Sequence, residues 1–441
     1  MSFGQGMMSG RSALTPHVTT LELDSRTGRL SRRAAFRVVA VVYFTIMASS
    51  SAPSPLYPLY REEWGFGASV LTVVFAVYAL ALLVSLLVVG GLSDHIGRKP
   101  VVFASIGLLV VSLIVFAVAD GVGWLIAARV LQGVAAGAAT GALTAAITDL
   151  SPTPRSGPLV NSLAPAIGLA GGGMGAGLLV QFAPWPTTTV YVLLIAALLA
   201  LAGAMVAVPE SAVAAGFTDR RHLRRSLTPT VSLPASIRSA FWAVMPSLVA
   251  TWSLGGFHLS LGPSIMRSEF GLTGAVAAGL DIFTLFTAGA AGAAVASRLV
   301  TDAARGRRVM AVGALVLVVG VGLDLAGLAT GTAAVYFAGT AVSGLGWGAA
   351  FLGAMRVIGA IAPPDDRAGV FSTTYVLSYL AFGLPAVIAG FVVGVVGLSV
   401  TATVYGGYVI ACALGSVVAT RVSARRAGRD VRPLGPDRQP A

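Results

Sequence analysis

Twelve stretches of about twenty residues, apolar almost throughout, recur along this sequence with short polar breaks between them. A helix needs about 20 such residues to cross a hydrocarbon core of roughly 30 Å. Inside lipid every backbone N–H and C=O must be paired within the protein, so each stretch is expected to be helical. They lie near 38–58, 69–92, 101–119, 124–147, 159–181, 188–208, 241–264, 275–297, 309–329, 334–361, 370–395 and 399–420. Glycines and prolines interrupt several of them, which membrane helices tolerate better than soluble ones. The short alternating segments of an outer-membrane barrel do not occur. Composition agrees: 56% of the 441 residues are hydrophobic, only 10% are charged, and mean hydropathy is +0.86.

The basic residues set an expected orientation. Of 29, all but Lys99 are arginine. With a cytoplasmic N-terminus, the tails and loops of that side hold 25 of the 29. The opposite side keeps Arg61 and Arg267, while Arg129 and Arg356 fall inside spans. By the positive-inside rule both termini are expected in the cytoplasm. The net charge of +12 is then a topology and headgroup signal. No nucleic-acid partner is expected, because the arginines are scattered over loop ends and form no basic domain. Residues 1–37 lack the apolar core of a cleaved leader and are expected to be a cytoplasmic tail. Residues 421–441, rich in Arg, Pro and Gly, are expected to be a second, disordered tail. A lone Cys412 excludes an intrachain disulfide framework and cysteine-based zinc sites.

A polar linker at 209–240 separates six spans (38–208) from six more (241–420), and the two halves repeat. Arg61-Glu62-Glu63-Trp64-Gly65 is echoed by Arg267-Ser268-Glu269-Phe270-Gly271, at an offset of 206. Gly97-Arg98-Lys99 is echoed by Gly306-Arg307-Arg308, at 209. Gly133 and Gly137 return as Gly344 and Gly348, at 211, and Arg155-Ser156-Gly157 as Arg367-Ala368-Gly369, at 212. Both halves begin on the same side, so the repeat is parallel, about an axis along the membrane normal. Such repeats suit alternating access around a site at the midplane.

The turn after span 2 reads Gly90-x-Leu92-x-Asp94-His95-x-Gly97-Arg98-Lys99. This resembles the signature of the major facilitator superfamily, Gly-x-Leu-x-Asp-Arg-x-Gly-Arg-Lys, with His95 as the departure. The resemblance covers essentially all twelve spans. It implies an all-α integral membrane fold, with twelve helices in two six-helix bundles related by a pseudo-two-fold. By itself the turn needs glycines for tight backbone and close helix approach. The resemblance further implies a conformational latch of Gly90, Asp94, Gly97, Arg98 and Lys99 against span 11, the alternative being a tight turn carrying topology charges.

In span 4, Arg129, Gln132, Gly133 and Gly137 share one helix face, and Gly141 extends the glycines into a packing seam. An Arg in a span costs about 2.5–3.5 kcal/mol on the insertion scale unless paired or hydrated. The pattern Arg-x-x-Gln-Gly is similar to the superfamily's proton-coupling motif. Snorkelling of Arg129 to the interface is the competing reading. Span 5 carries Gly171 and Gly175 in a glycine-rich run. Drug–proton antiporters of the superfamily have a Gly-Pro pair there, which this chain lacks; its proline is Pro165.

Four further ionisable groups lie in spans: His258, Asp281, Asp324 and Arg356. Asp281 is the best candidate for a proton carrier, since such groups are costly in lipid and face a cavity or one another. His258 titrates in a useful range, although a lone His is more often a hydrogen-bonded structural residue. Asp324 and Arg356, near opposite ends of their spans, are expected at the interfaces. The run from Ser49 to Pro58 holds Pro53, Pro55 and Pro58, which must interrupt helix and free carbonyls for a cavity or gate, unless it is a frayed end. Tyr78, Trp252, Trp347 and Tyr375 are candidate cavity-lining aromatics for an apolar or cationic substrate, or else packing.

No phosphate-binding loop, metal site or nucleophile–base arrangement is legible, so neither an enzyme nor a cofactor is expected. The expected function is a monomeric secondary transporter in a bacterial plasma membrane, exporting small amphipathic molecules in exchange for protons. A proton-coupled importer or uniporter of a metabolite is the alternative, and a non-transporting sensor on the same fold is a third.

Overall fold

The computed structural model describes residues 30–211, 228–229, 231–300 and 302–430. Among these every regular element is helical. Twelve helices are long and apolar enough to cross a membrane. Spans 1 to 6 are Arg32–Trp64, Ala68–Val89, Arg98–Ala117, Val122–Leu150, Ser156–Phe182 and Pro186–Val206. Spans 7 to 12 are Ala235–Ser260, Ala275–Leu299, Ala303–Thr330, Ala333–Ile361, Arg367–Val396 and Leu398–Val422. An even number of crossings returns the chain to the face on which it starts, here called the terminal face. Helix begins at Arg32 and continues to Asp430, so it enters both expected tails. The rest of those tails, and most of the linker, lies outside the described residues.

Span 1 breaks where its prolines stand. Helix Arg32–Ser51 gives way to a tight 3-10 turn at Ser54–Leu56 and resumes as Tyr57–Trp64. Pro53 has no N–H to offer the carbonyl of Ser49 four residues back, which must find another donor. Span 7 repeats the device: its helix ends at Ser260, and Gly262–Ser268 resumes with Pro263 in its first turn.

The sequence repeat is also a repeat of packing. A side chain at Gly133 would strike the Tyr78 carbonyl and Ala81 of span 2; one at Gly344 would strike the Leu285 carbonyl and Ala288 of span 8. Partner and glycine shift together, so spans 2 and 4 meet as spans 8 and 10 do. Without a hydrophobic drive between helices in lipid, close backbone approach at such seams supplies the van der Waals contact that holds them. Gly141 extends the first seam against Gly90.

Two seams form the main contact between the bundles. Spans 2 and 11 pack through Thr72 on Gly390 and Ala76 on Gly383. Spans 5 and 8 pack through Gly173 on Ile282 and Gly177 on Ala275. Both contacts lie toward the face opposite the termini. There Arg267, from the extension of span 7, also pairs with Glu62 from the extension of span 1.

Candidate functional site

On the terminal-face side of those contacts lies a cavity of about 200 Å³ between the bundles. Tyr78, Trp252, Trp347 and Tyr375 all line it, with Tyr43, Tyr379 and Phe382. Trp252 meets Tyr379 edge-on at 4.6 Å between ring centres, and Trp347 stacks on Phe351 at 6.0 Å. Trp347 is fixed by donating its indole N–H to the carbonyl of Thr251, at 2.7 Å. Ser50, Thr140, Asn161 and Ser162 add neutral polar groups to the wall. No charged side chain lines it. Such a wall offers aromatic faces and a few hydrogen bonds, the means by which pockets hold apolar and amphipathic molecules.

The charged residues sit behind this wall in two separate groups. In the N-terminal half Arg129 is wholly buried, so it does not snorkel. Its guanidinium donates to the Tyr57 hydroxyl through Nε at 2.7 Å and also through Nη2. Nη1 donates to the Ser50 carbonyl at 2.9 Å and to Gln132 Oε1 at 2.6 Å. Gln132 passes the contact on, donating through Nε2 to the Ser49 carbonyl at 2.9 Å. The two carbonyls freed by the proline break are thus taken up by the Arg-x-x-Gln pair of span 4. The rings of Tyr57, Tyr78 and Phe116 lie 5.2–5.7 Å from the guanidinium carbon, a cation–π cage in place of a counter-ion. Among its described contacts Arg129 has no carboxylate.

In the C-terminal half the carboxylates gather. His258 Nδ1 lies 3.0 and 3.1 Å from the two oxygens of Asp281, and both residues are buried. Gly262 makes this possible, since a Cβ there would overlap Asp281 Oδ2. Asp324 does not reach the interface as its place near the end of span 9 suggested. It is buried at 6% exposure, and its Oδ1 accepts from Thr340 Oγ1 at 3.1 Å. Its side chain turns inward onto span 10, although the helix ends at Thr330, six residues further on. Gly339, in span 10, leaves room for the carboxyl. Each buried acid therefore faces a glycine on a neighbouring element, the one sequence signal that could have found Asp324. Arg356 is exposed, apart from Asp324.

The described bonds of the charged turn after span 2 reach span 4, the end of span 6 and the start of the linker. Gly97 adopts φ +97°, and the N–H groups of Arg98 and Lys99 behind it donate to Glu210 at 2.9 and 3.0 Å. A carboxylate at this helix start meets unpaired donors and the positive end of the dipole. Lys99 Nζ donates to the carbonyls of Val206 and Val208, and Arg98 Nε stands 3.6 Å from Asp149. The side chain of Asp94 lies outside the described residues. Glu210 was not singled out from sequence, where it is one acid at the edge of a polar linker.

In span 5, Gly171 lies against Phe44, while Gly175 faces open space and packs on nothing. The other close approaches are those of Gly168 and Gly172 to span 1 and of Gly173 and Gly177 to span 8. The other faces of spans 5 and 8, at Leu163, Ile167, Ala290 and Ala294, border an apolar cleft of about 530 Å³.

A family model described as the Major Facilitator Superfamily matches residues 39–384. An uncharacterized MFS-type transporter of Mycobacterium tuberculosis is 33% identical over 102 residues, 23% of this chain and 18% of that protein. The MFS-type transporter paaT of Penicillium rubens is 28% identical over 153 residues, 34% of this chain and 27% of that protein. The chain thus aligns with about a quarter or less of the length of these curated relatives. Among solved structures, a bacterial homologue of the human lysosomal transporter Spinster, inward-facing and unoccupied, superposes with a TM-score of 0.70 at 12% identity, covering 89% of this chain and 98% of that one. The human organic anion transporter MFSD10 gives 0.60 at 17% identity, covering 88% and 100%.

Proposed function

The chain belongs to the Major Facilitator Superfamily, and from that premise we propose that it exports small amphipathic molecules by alternating access in exchange for protons. The observation that carries the reading is the aromatic cavity between the bundles, closed toward one face and free of charged side chains. A substrate with an apolar body fits that wall better than a sugar or a multiply charged metabolite, which would need more polar partners.

In this reading both termini are cytoplasmic, and the cavity takes substrate from the inner face or leaflet. The spans 5–8 seam and the Arg267–Glu62 pair part when the protein opens outward, as rigid halves rock about the site. The charged turn then engages span 11 as a latch on the cytoplasmic side. Asp281, held by His258, carries the exchanged proton. Arg129 and Gln132 brace the broken turn of span 1, so that a shift of span 4 moves the Ser50 edge of the cavity.

The test uses inside-out and right-side-out vesicles with an imposed pH gradient and ethidium as the probe. Gradient-driven accumulation in inside-out vesicles alone is expected. Accumulation in right-side-out vesicles alone identifies an importer instead.

A further inference from the structure

Behind the cavity, between spans 7, 9, 10 and 12, lies a void of about 20 Å³. That is room for one water molecule. His258, Asp324, Tyr336 and Tyr405 line it, with apolar residues such as Leu254 and Val321. Two polar atoms of its lining residues have no hydrogen-bond partner: Asp324 Oδ2 and the Tyr336 hydroxyl. Both residues are more than nine-tenths buried, at 6% and 2% exposure. A buried polar atom without a partner carries a desolvation cost of about 1–3 kcal/mol, more for a charged group. One water between the two atoms removes both deficits, and a proton on Asp324 removes the charge.

The surrounding groups leave Asp324 no counter-ion of its own. His258, from span 7, is held by Asp281 of span 8, and its ring centre is 6.2 Å from that of Tyr336 in span 10. Tyr405, from span 12, donates its hydroxyl to the Ser253 carbonyl at 2.8 Å. Thr340 meets only the other oxygen of Asp324. No arginine or lysine lines the void. The cluster therefore holds two carboxyls and one imidazole, and an ionised Asp324 stands as an excess buried charge.

We propose that Asp324 is a second proton seat beyond the His258–Asp281 pair, joined to that pair by one water held against Asp324 Oδ2, the Tyr336 hydroxyl and the imidazole. In the transfer, the O–H bond of the Asp324 carboxyl breaks as the water accepts its proton. The water gives one of its own to the imidazole, forming an N–H bond, and no other reactant takes part. The inference rests on the proton-coupled reading and names a group that reading does not use.

Infrared spectra of the purified full-length protein in detergent test it without any substrate. At neutral pH a protonated-carboxyl C=O band that shifts in D2O is expected, absent in Asp324→Asn and retained in Asp281→Asn. Tyr336→Phe, which keeps the ring and removes the hydroxyl, should keep the band and slow its exchange into D2O. A band that survives Asp324→Asn, or no such band in the wild type, overturns the proposal. So does loss of the band on adding sodium at constant pH, which would make the void a cation site. Proteoliposomes separate this from the transport reading. If the band behaves as stated but wild-type protein drives no ethidium flux with a pH gradient, the export reading fails and the proton seat stands. If wild type drives flux and Asp324→Asn drives it equally, the proton seat fails alone.

Discussion

Arg129 in span 4 and Thr340 in span 10 stand 211 residues apart, the offset that relates the glycine seams of the two halves. The same place in the repeat thus holds a buried cation on one side and, on the other, a hydroxyl serving a buried acid. The N-terminal half surrounds its charge with carbonyls, a phenol and aromatic rings. Its described hydrogen-bond partners are a backbone carbonyl, a phenol and an amide, and every one is neutral. The C-terminal half sets an imidazole, a carboxyl and two phenols around one void, with a second carboxyl behind the imidazole. Duplication kept the helix frame, where glycines decide how near two backbones come. It freed the polar positions inside the frame to diverge, so that one half buries a cation among neutral groups and the other buries two carboxyls beside an imidazole.

Removing the cation breaks that comparison most severely. Arg129→Ala leaves the Ser50 carbonyl, Gln132 and Tyr57 without their donor, at about 1–3 kcal/mol for each group left unsatisfied. Transport should vanish and the melting temperature in detergent should fall. Arg129→Lys should recover little, because an ammonium lacks the planar fork that meets several acceptors. Full transport by the alanine variant at normal expression would contradict the bracing role.

Asp281→Asn should act on coupling more than on folding. Gradient-driven ethidium flux should be lost while ethidium still quenches tryptophan fluorescence on binding. An unchanged pH dependence of transport would remove Asp281 from the proton path.

The frame itself is tested by symmetric overpacking. Gly137→Val and Gly348→Val each place a side chain against a carbonyl of the facing helix, Leu82 and Gly289 respectively. Each should cost about 1–3 kcal/mol, seen as similar drops in melting temperature. A large difference between the two would mean that the seams are not equivalent. The smallest effect belongs to Arg267→Ala. Its partner Glu62 is 57% exposed, so the pair contributes no more than about 1 kcal/mol to closure of that face. Labelling of a cysteine introduced at the mouth of that face should rise modestly, and less so at high salt.

The spans, the proline break and the paired seams were legible because each depends on local chemistry: apolar length, a missing N–H, a missing Cβ. The Arg129–Gln132 face was legible for the same reason, since a helix places those positions together. What they would hold was not, because the Ser49 and Ser50 carbonyls come from a helix about eighty residues away. Asp324 was misplaced because distance from a span's end does not tell which way the side chain faces, and this one faces Gly339 and Thr340 of span 10. Gly175 was misjudged because a run of glycines marks close approach without telling which of its faces makes it.

Glu210 and Ser232 tie the linker to the two bundles. Glu210 is bound to the start of span 3 in one bundle, and the Ser232 carbonyl accepts from Thr373 of span 11 in the other. The chain between them joins two fixed posts. Closure entropy grows only with the logarithm of loop length, about 0.6 kcal/mol per doubling. A foreign domain spliced between these anchors should therefore leave assembly of the two bundles nearly unchanged, while a cut between them should leave each half with its own anchor. That makes this interval the place to divide or extend the protein.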